Sequence, residues 1–376
     1  MHVFRAPLGG LFRHVLDVAK GQIERGHAVG IFCDASTGGA GADAALDAIR
    51  PSLALGVHRI PMRRLPHPRD LLALATLTGL YRRLKPNVLH GHGSKGGAFA
   101  RLVAVPGLDR RTIRAYTPHG GSFNYNPGTL SHTAYMKAEA ILGRRTDIFL
   151  FESDYVRKRF DEFVGATAKL VRVVHNGIAE AEFEPLERVS DPFDLVYIGE
   201  LRSAKGVDTL IDALSLIRRE HGLRLTLLAV GSGPSEADLH GKAKAAGVWD
   251  STAFVPPQPI RSALSRGRIM VIPSKAESLP YVILEAAAAA QPLVSTNVGG
   301  IGEIFGPWSD ELIPPDDPLR LAAAILAKVA EPEDIRSGKA EALSRHVRAG
   351  FCLNRMVQGG LDGYQAAFAA RAVADR

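Results

Sequence analysis

Residues 269–296 read IMVIPSKAESLPYVILEAAAAAQPLVST, and their pattern points to the fold class. Ile269–Ile272 is a short β-rich apolar run of the kind a sheet buries on both faces. Pro273–Pro280 is polar and breaks the run, Tyr281–Ala289 has the length and alanine content of a helix, and Pro292–Thr296 is apolar and short again. Strand, loop, helix and strand in this order make a parallel β-α-β unit. Glu277 falls in the loop and Glu285 more than a turn inside the helix. Pro280 stands near the first helical turn, where its missing N–H is not needed.

The same alternation continues in both directions. Before residue 180 the strand candidates are His2–Phe4, Ala28–Cys33, Val88–His90, Thr112–Thr117, Asp147–Phe151 and Leu170–Val174, separated by helical stretches such as Leu11–Glu24. After residue 192 it restarts with Asp194–Ile198, the helix Val207–Glu220 and Arg224–Val230. A chain of 376 residues has room for two such cores. The expected organisation is a doubly wound α/β domain over residues 1–180, a linker at 181–192 and a second α/β domain over 193–352. A terminal helix within 353–376 is expected to pack back on the first domain. The opening strand looks clipped ahead of Gly9, which suggests that residues precede Met1.

Hydrophobic residues make up 46% and charged residues 23%, the balance of a globular protein. No stretch approaches the apolar length that spans a bilayer, and MHVFRAPLGG lacks the marks of a secretory signal. The expected location is the cytoplasm. Cys33 and Cys352 stand far apart, with no metal-binding spacing around them. Net charge is +7, unevenly placed: residues 1–180 hold 25 Lys/Arg against 14 Asp/Glu, and residues 181–376 hold 21 against 25. A basic first half suggests an anionic partner, such as a membrane surface, a phosphorylated acceptor or nucleic acid. The cations are scattered, without a binding module or interleaved aromatics, so no nucleic acid is expected.

Ligands of doubly wound domains bind in the loops after the strands. Gly9 and Gly10 follow the first strand and open a helix, where backbone N–H groups can approach a phosphate. IGELRSAKG (198–206) sets Arg202 and Lys205 between a strand and a helix, able to clamp a diphosphate. Carboxylates at Glu277 and Glu285 can accept hydrogen bonds from sugar hydroxyls, one from a hexose and one from a ribose. AVGSGP (229–234) fails to complete a dinucleotide fingerprint. TPHGG (117–121) places His119 after a strand, and HGHGSKGG (90–97) reads as another strand-to-helix loop carrying His90, His92 and Lys95. No third ligand accompanies that histidine pair in the sequence, so no metal is expected. The loop is read as contacting an acceptor. For each motif taken alone, ordinary loops and surface charges remain the plain alternative.

Together these motifs resemble glycosyltransferase family four, the retaining GT-B group. The resemblance runs through the GG turn, RGHAV, HGHGS, TPHGG, ESDYVRKRF, HNGI, IGELRSAKG, AVGSGP, the Glu277–Glu285 element and NVGGIGE at 297–303. It implies two Rossmann-like domains with parallel sheets facing across a cleft, and transfer of a hexose or N-acetylhexosamine from a nucleotide diphosphate, UDP by expectation, to an acceptor hydroxyl. Arg202 and Lys205 would hold the diphosphate, Glu285 the ribose, Glu277 the hexose, and Ser278 and Leu279 would approach the diphosphate through their backbone. Gly10 would line the phosphate side, and His119 would touch the transferred sugar. The family usually has glycine and an aromatic residue where Ser278 and Leu279 stand. No Asp-x-Asp ends a strand, so no cofactor or metal is expected. The basic half would suit a lipid-linked acceptor in bacterial surface polysaccharide assembly, at the inner face of the membrane, with the helix Leu130–Arg145 as a docking face. A nucleotide-sugar epimerase on the same fold, a nucleic-acid-binding protein and a non-catalytic sugar-binding relative are the rival readings.

Overall fold

The computed structural model describes residues 1–124 and 127–374. The chain divides into two compact units, one of Met1–Gly177 with Leu353–Arg376 and one of Ile178–Cys352. Residues 375 and 376, the tail of the expected terminal helix, lie outside the described residues.

In the first unit the strands are β1 (His2–Val3), β2 (Ile31–Asp34), β3 (Val57–Ile60), β4 (Val88–His92), β5 (Ile113–Thr117), β6 (Ile148–Phe151) and β7 (Leu170–Val173). They pair in parallel in the order β3-β2-β1-β4-β5-β6-β7. The second unit contains β8 (Phe193–Ile198), β9 (Leu227–Val230), β10 (Thr252–Val255), β11 (Gly267–Ile272) and β12 (Leu293–Ser295), parallel in the order β10-β9-β8-β11-β12. Strand order reverses between β1 and β4 in one sheet and between β8 and β11 in the other. Loops diverge at such a reversal and leave a crevice at the strand ends.

Two strands escape the sequence reading, β3 (VHRI) and β10 (TAFV). Both are edge strands of four residues: VHRI carries His58 and Arg59 between its apolar ends, and TAFV has only three apolar residues in a row before Pro256. A second correction concerns residues 90–97, read above as a loop. Here β4 runs through His92 and a helix begins directly at Gly93 (Gly93–Leu102). That helix lies so close to the sheet that a Cβ on Gly96 would come within 2.3 Å of the Val3 carbonyl oxygen. The glycines of this segment serve packing.

Residues 178–192 are fastened to the second unit: the Arg261 guanidinium donates to the carbonyls of Glu182, Glu184 and Pro185, each at 2.9 Å. The helix Leu353–Ala374 packs Val357, Leu361, Tyr364 and Ala367 against β5 and β6. Arg371 secures its far end, on the Asp147 carboxylate at 2.6 Å and on the Asp109 and Thr112 carbonyls. Cys33 is sealed in β2, where burial pushes its thiol up to about 12. Among the described residues no helix is long and apolar enough to cross a membrane.

Candidate functional site

The second unit gathers its polar groups at the β8/β11 reversal. Gly206 ends the turn after β8 with φ 68°, and a Cβ there would sit 1.9 Å from the Pro273 carbonyl oxygen. Only glycine lets this turn lie against the loop after β11. The contact delivers Lys205 to Glu277: Nζ stands 2.6 Å from Oε1, and the Ser274 hydroxyl donates to the same oxygen at 2.7 Å. The Glu277 side chain is only 9% exposed, so the pair is a preset, largely dry ion pair rather than a fluctuating surface one. Arg202, earlier in the same turn, is half-exposed and pairs with Glu200 at 2.8 Å. Ser278 follows Glu277, and its carbonyl accepts from Gly300 N at 2.6 Å, which ties the loop to the 297–303 stretch. Leu279 is buried, Pro280 caps the helix Tyr281–Ala288, and Glu285 stands partly buried on that helix. Asp316 pairs with Lys275, which also holds Asp208.

In the first unit, sheet register assembles a cluster that the sequence reading missed. His2 pairs with His90 across β1 and β4, and His90 and His92 share a face by the two-residue period of a strand. His14 joins from the helix Gly9–Glu24 and His119 from the end of β5, so five imidazoles meet. Burial pulls His2 down to about 3 and His14 to about 4. It also holds His90, His92 and His119 well below the ordinary imidazole value, with neighbouring histidines pushing the same way. All five are neutral at pH 7.

Neutral imidazoles have one donor and one acceptor nitrogen each, which makes the chain directional. Gln22 turns Oε1 to His2 Nε2 at 3.0 Å and its own Nε2 to the Tyr364 hydroxyl at 3.4 Å. His2 therefore donates through Nε2 and accepts at Nδ1 from His92 Nε2, 3.0 Å away. His92 in turn accepts at Nδ1 from His119 Nε2 at 3.1 Å. His119 thus carries its proton on Nε2 and has an unprotonated Nδ1. Its backbone is in the left-handed region, φ 54°, a strain of about 1 kcal/mol or more for a residue with a Cβ. Asn176 accepts from His14 Nδ1 at 3.0 Å, so the HNGI turn orients a histidine too.

The expectation that His90 and His92 lack a third ligand is corrected here. His2, His90 and His92, and separately His14, His92 and His119, bring nitrogens within 4.8 Å of one another. Three imidazoles suit zinc, copper or nickel. Yet both ring nitrogens of His2, His90 and His92 already carry hydrogen bonds, to one another or to Gln22, Tyr364, Thr117 and His119. A cation would have to break that set.

Lys95 sits in the first turn after β4 with its ammonium committed to the Asp70 carboxylate (2.8 Å) and the Arg63 and Leu65 carbonyls. It pins the segment before the helix Asp70–Leu84. Gly10 is exposed at the second position of its helix. The sequence located Lys205, Glu277 and His119 by their place after strands. His2, His14, Gln22 and Tyr364 carried no local signal, because pairing and packing alone bring them in.

Two family models match the chain: Glycosyltransferase Family 4 over residues 8–182 and Glycosyl transferases group 1 over residues 179–344. The chain is 29% identical over 354 residues to the glycogen synthase of Mycobacterium tuberculosis, covering 86% of this chain and 83% of that protein. It is 30% identical over 326 residues to the alpha-D-kanosaminyltransferase of Streptomyces kanamyceticus, covering 76% and 83%. Its fold matches Anabaena HepE, solved in complex with UDP, with TM-score 0.76 and 17% identity over 97% of this chain and 99% of that one. The chain is a GT-B protein and belongs to the group 1, family four glycosyltransferases.

Proposed function

We propose that the chain transfers a hexose or N-acetylhexosamine from a UDP-sugar to an acceptor hydroxyl, with retention and without a metal ion, in assembly of a surface polysaccharide or lipid-linked glycan. The observation that carries this reading is the Lys205–Glu277 pair at the β8/β11 reversal, with Ser274 on the same carboxylate. As the anomeric C–O bond breaks, positive charge grows on the sugar and negative charge on the departing diphosphate. Lys205, Arg202 and the N–H groups opening the helix Tyr281–Ala288 supply the counter-charge. Backbone N–H groups at Ser278 and Leu279 approach the same diphosphate, with Gly10 on the phosphate side. Glu277, held by Lys205 and Ser274, accepts from a hexose hydroxyl, and Glu285 from the ribose. His119 accepts from a hydroxyl of the transferred sugar through Nδ1. The acceptor oxygen bonds to the anomeric carbon from the face that the diphosphate leaves, and its proton passes to a diphosphate oxygen.

Uracil as the donor's base is supported by the UDP complex of HepE, and retention is what the resemblance to family four implies. Metal independence is supported by cations where the diphosphate would sit, and by imidazole nitrogens already engaged in the first unit. A cytoplasmic protein resting on the inner face of the membrane fits the first unit's surplus of cations, 28 Lys/Arg against 15 Asp/Glu, a net +13. His92 and Lys95 are assigned to the acceptor side. The test follows UDP release from UDP-glucose and UDP-N-acetylglucosamine in EDTA, with NMR of the product's anomeric proton. Turnover in EDTA and a product with the donor's anomeric configuration are expected. Turnover that requires a divalent ion, or an inverted product, overturns the corresponding part.

A further inference from the structure

A cavity within the first unit measures about 800 Å³, and much of its wall is apolar, with Leu11, Leu74, Phe99, Leu102, Ile141 and Leu142 among the lining residues. His92 and His119 also line it. Its other polar walls are already neutralised from within. Glu139 holds the buried Arg101 guanidinium at 2.9 Å and accepts from the Tyr116 and Ser122 hydroxyls, while Asp70 holds Lys95. A free sugar would find few uncommitted partners there.

Two charges are left over. Arg5 and Arg64 line the cavity, and among the described residues neither guanidinium has a hydrogen-bond or ion-pair partner. Burial pulls Arg5 below the ordinary guanidinium value; the Asp34 charge opposes this and the Arg64 charge adds to it. A partly buried guanidinium at Arg5 and an exposed one at Arg64, on the lining of one cavity, are a site for a polyvalent oxyanion. Large apolar side chains of the lining also face solvent: Leu8 (54% exposed), Leu102 (46%) and Ile141 (63%), with Leu65 next to Arg64 in the sequence. A soluble surface rarely gathers so many beside a pocket.

We propose that this cavity binds the lipid part of the acceptor: an alkyl or isoprenyl chain against the apolar wall, with its phosphate on Arg5 and Arg64. This rests on the transferase reading for its role, but not for its test. The exposed leucines and Ile141 then lie where the chain leaves for the bilayer, so the acceptor is drawn from a membrane.

The test is calorimetry on the full chain with dodecyl phosphate below its micelle concentration, inorganic phosphate and dodecanol, each with UDP as a parallel titration. Dodecyl phosphate should bind at least ten-fold more tightly than phosphate or dodecanol. Arg5→Ala with Arg64→Ala should weaken it ten-fold or more, and Ala98→Trp, which puts an indole into the cavity, should abolish it. UDP affinity should stay unchanged in both variants, which shows that they fold. Equal binding of dodecanol and dodecyl phosphate, or undiminished binding in UDP-competent Ala98→Trp, overturns the proposal. Failure of UDP to bind any form would sink the transferase reading and leave the lipid result standing. A bilayer arm uses vesicles carrying dodecyl phosphate: capture that Ala98→Trp removes places the source in the membrane, and capture that persists in Ala98→Trp contradicts the cavity as the lipid site.

Discussion

His119 owes its protonation pattern to a glutamine three hydrogen bonds away. Gln22 presents a carbonyl to His2, and the donor sense then passes through His92 to His119. Nitrogen NMR of histidine-labelled protein should show His119 as the Nε2–H tautomer, and Gln22→Met should mix the tautomers. An Nδ1–H form in the native protein would refute the chain. The same cluster sets a pH dependence. His14 has a folded value of about 4 against an ordinary 6.5, so the unfolded chain takes up the proton first as pH falls. Its contribution is therefore whole above pH 6.5 and lost between 6.5 and 4, roughly 3 kcal/mol by pH 4. His14→Gln should flatten the fall of Tm between pH 7 and 5; an unchanged slope would contradict this. The cluster was illegible in the sequence because its members lie up to 90 residues apart in hydrogen-bonded pairs and sit together only through strand register. Lys205 and Glu277, by contrast, were legible because each follows a strand that reads clearly as apolar.

At the scale of elements, the contact between two loops carries the candidate donor site. Gly206→Ala would drive a methyl group into the Pro273 carbonyl, and the turn would have to move away from the loop 273–280. The expected cost is about 1–3 kcal/mol, read as a drop of several degrees in Tm together with weaker UDP binding. Unchanged values of both would show that the turn does not need glycine. Central strands such as β8 and β11 were readable from their apolar runs, and the helix after Pro280 from its proline and alanines. Edge strands β3 and β10 were not, since His58 and Arg59 interrupt one and the other is apolar over only three residues. The segment 90–97 misled for a related reason: three of its glycines permit close helix–sheet packing and only look like a loop.

Over the whole molecule, the second unit carries 18 Lys/Arg against 24 Asp/Glu, a net −6, where the first carries +13. Attachment to anionic vesicles should therefore be a property of the first unit and weaken steeply between 50 and 300 mM salt, a range chosen from a Debye length of about 10 Å at 0.1 M. Sedimentation with vesicles checks this; salt-insensitive attachment would point to apolar contacts alone. The helix Leu353–Ala374 belongs to the first unit's core, and its Tyr364 hydroxyl lies 2.7 Å from His90 Nδ1. In the proposed reaction Arg202 and Lys205 hold a nucleotide diphosphate without a metal. The most direct measurement is calorimetric titration with UDP in EDTA, for the native chain and for Arg202→Ala and Lys205→Ala. Binding in EDTA is expected, weakened ten-fold or more in each variant, as the loss of one charge-assisted contact would do. Binding that appears only with magnesium, or that both variants leave intact, would contradict it.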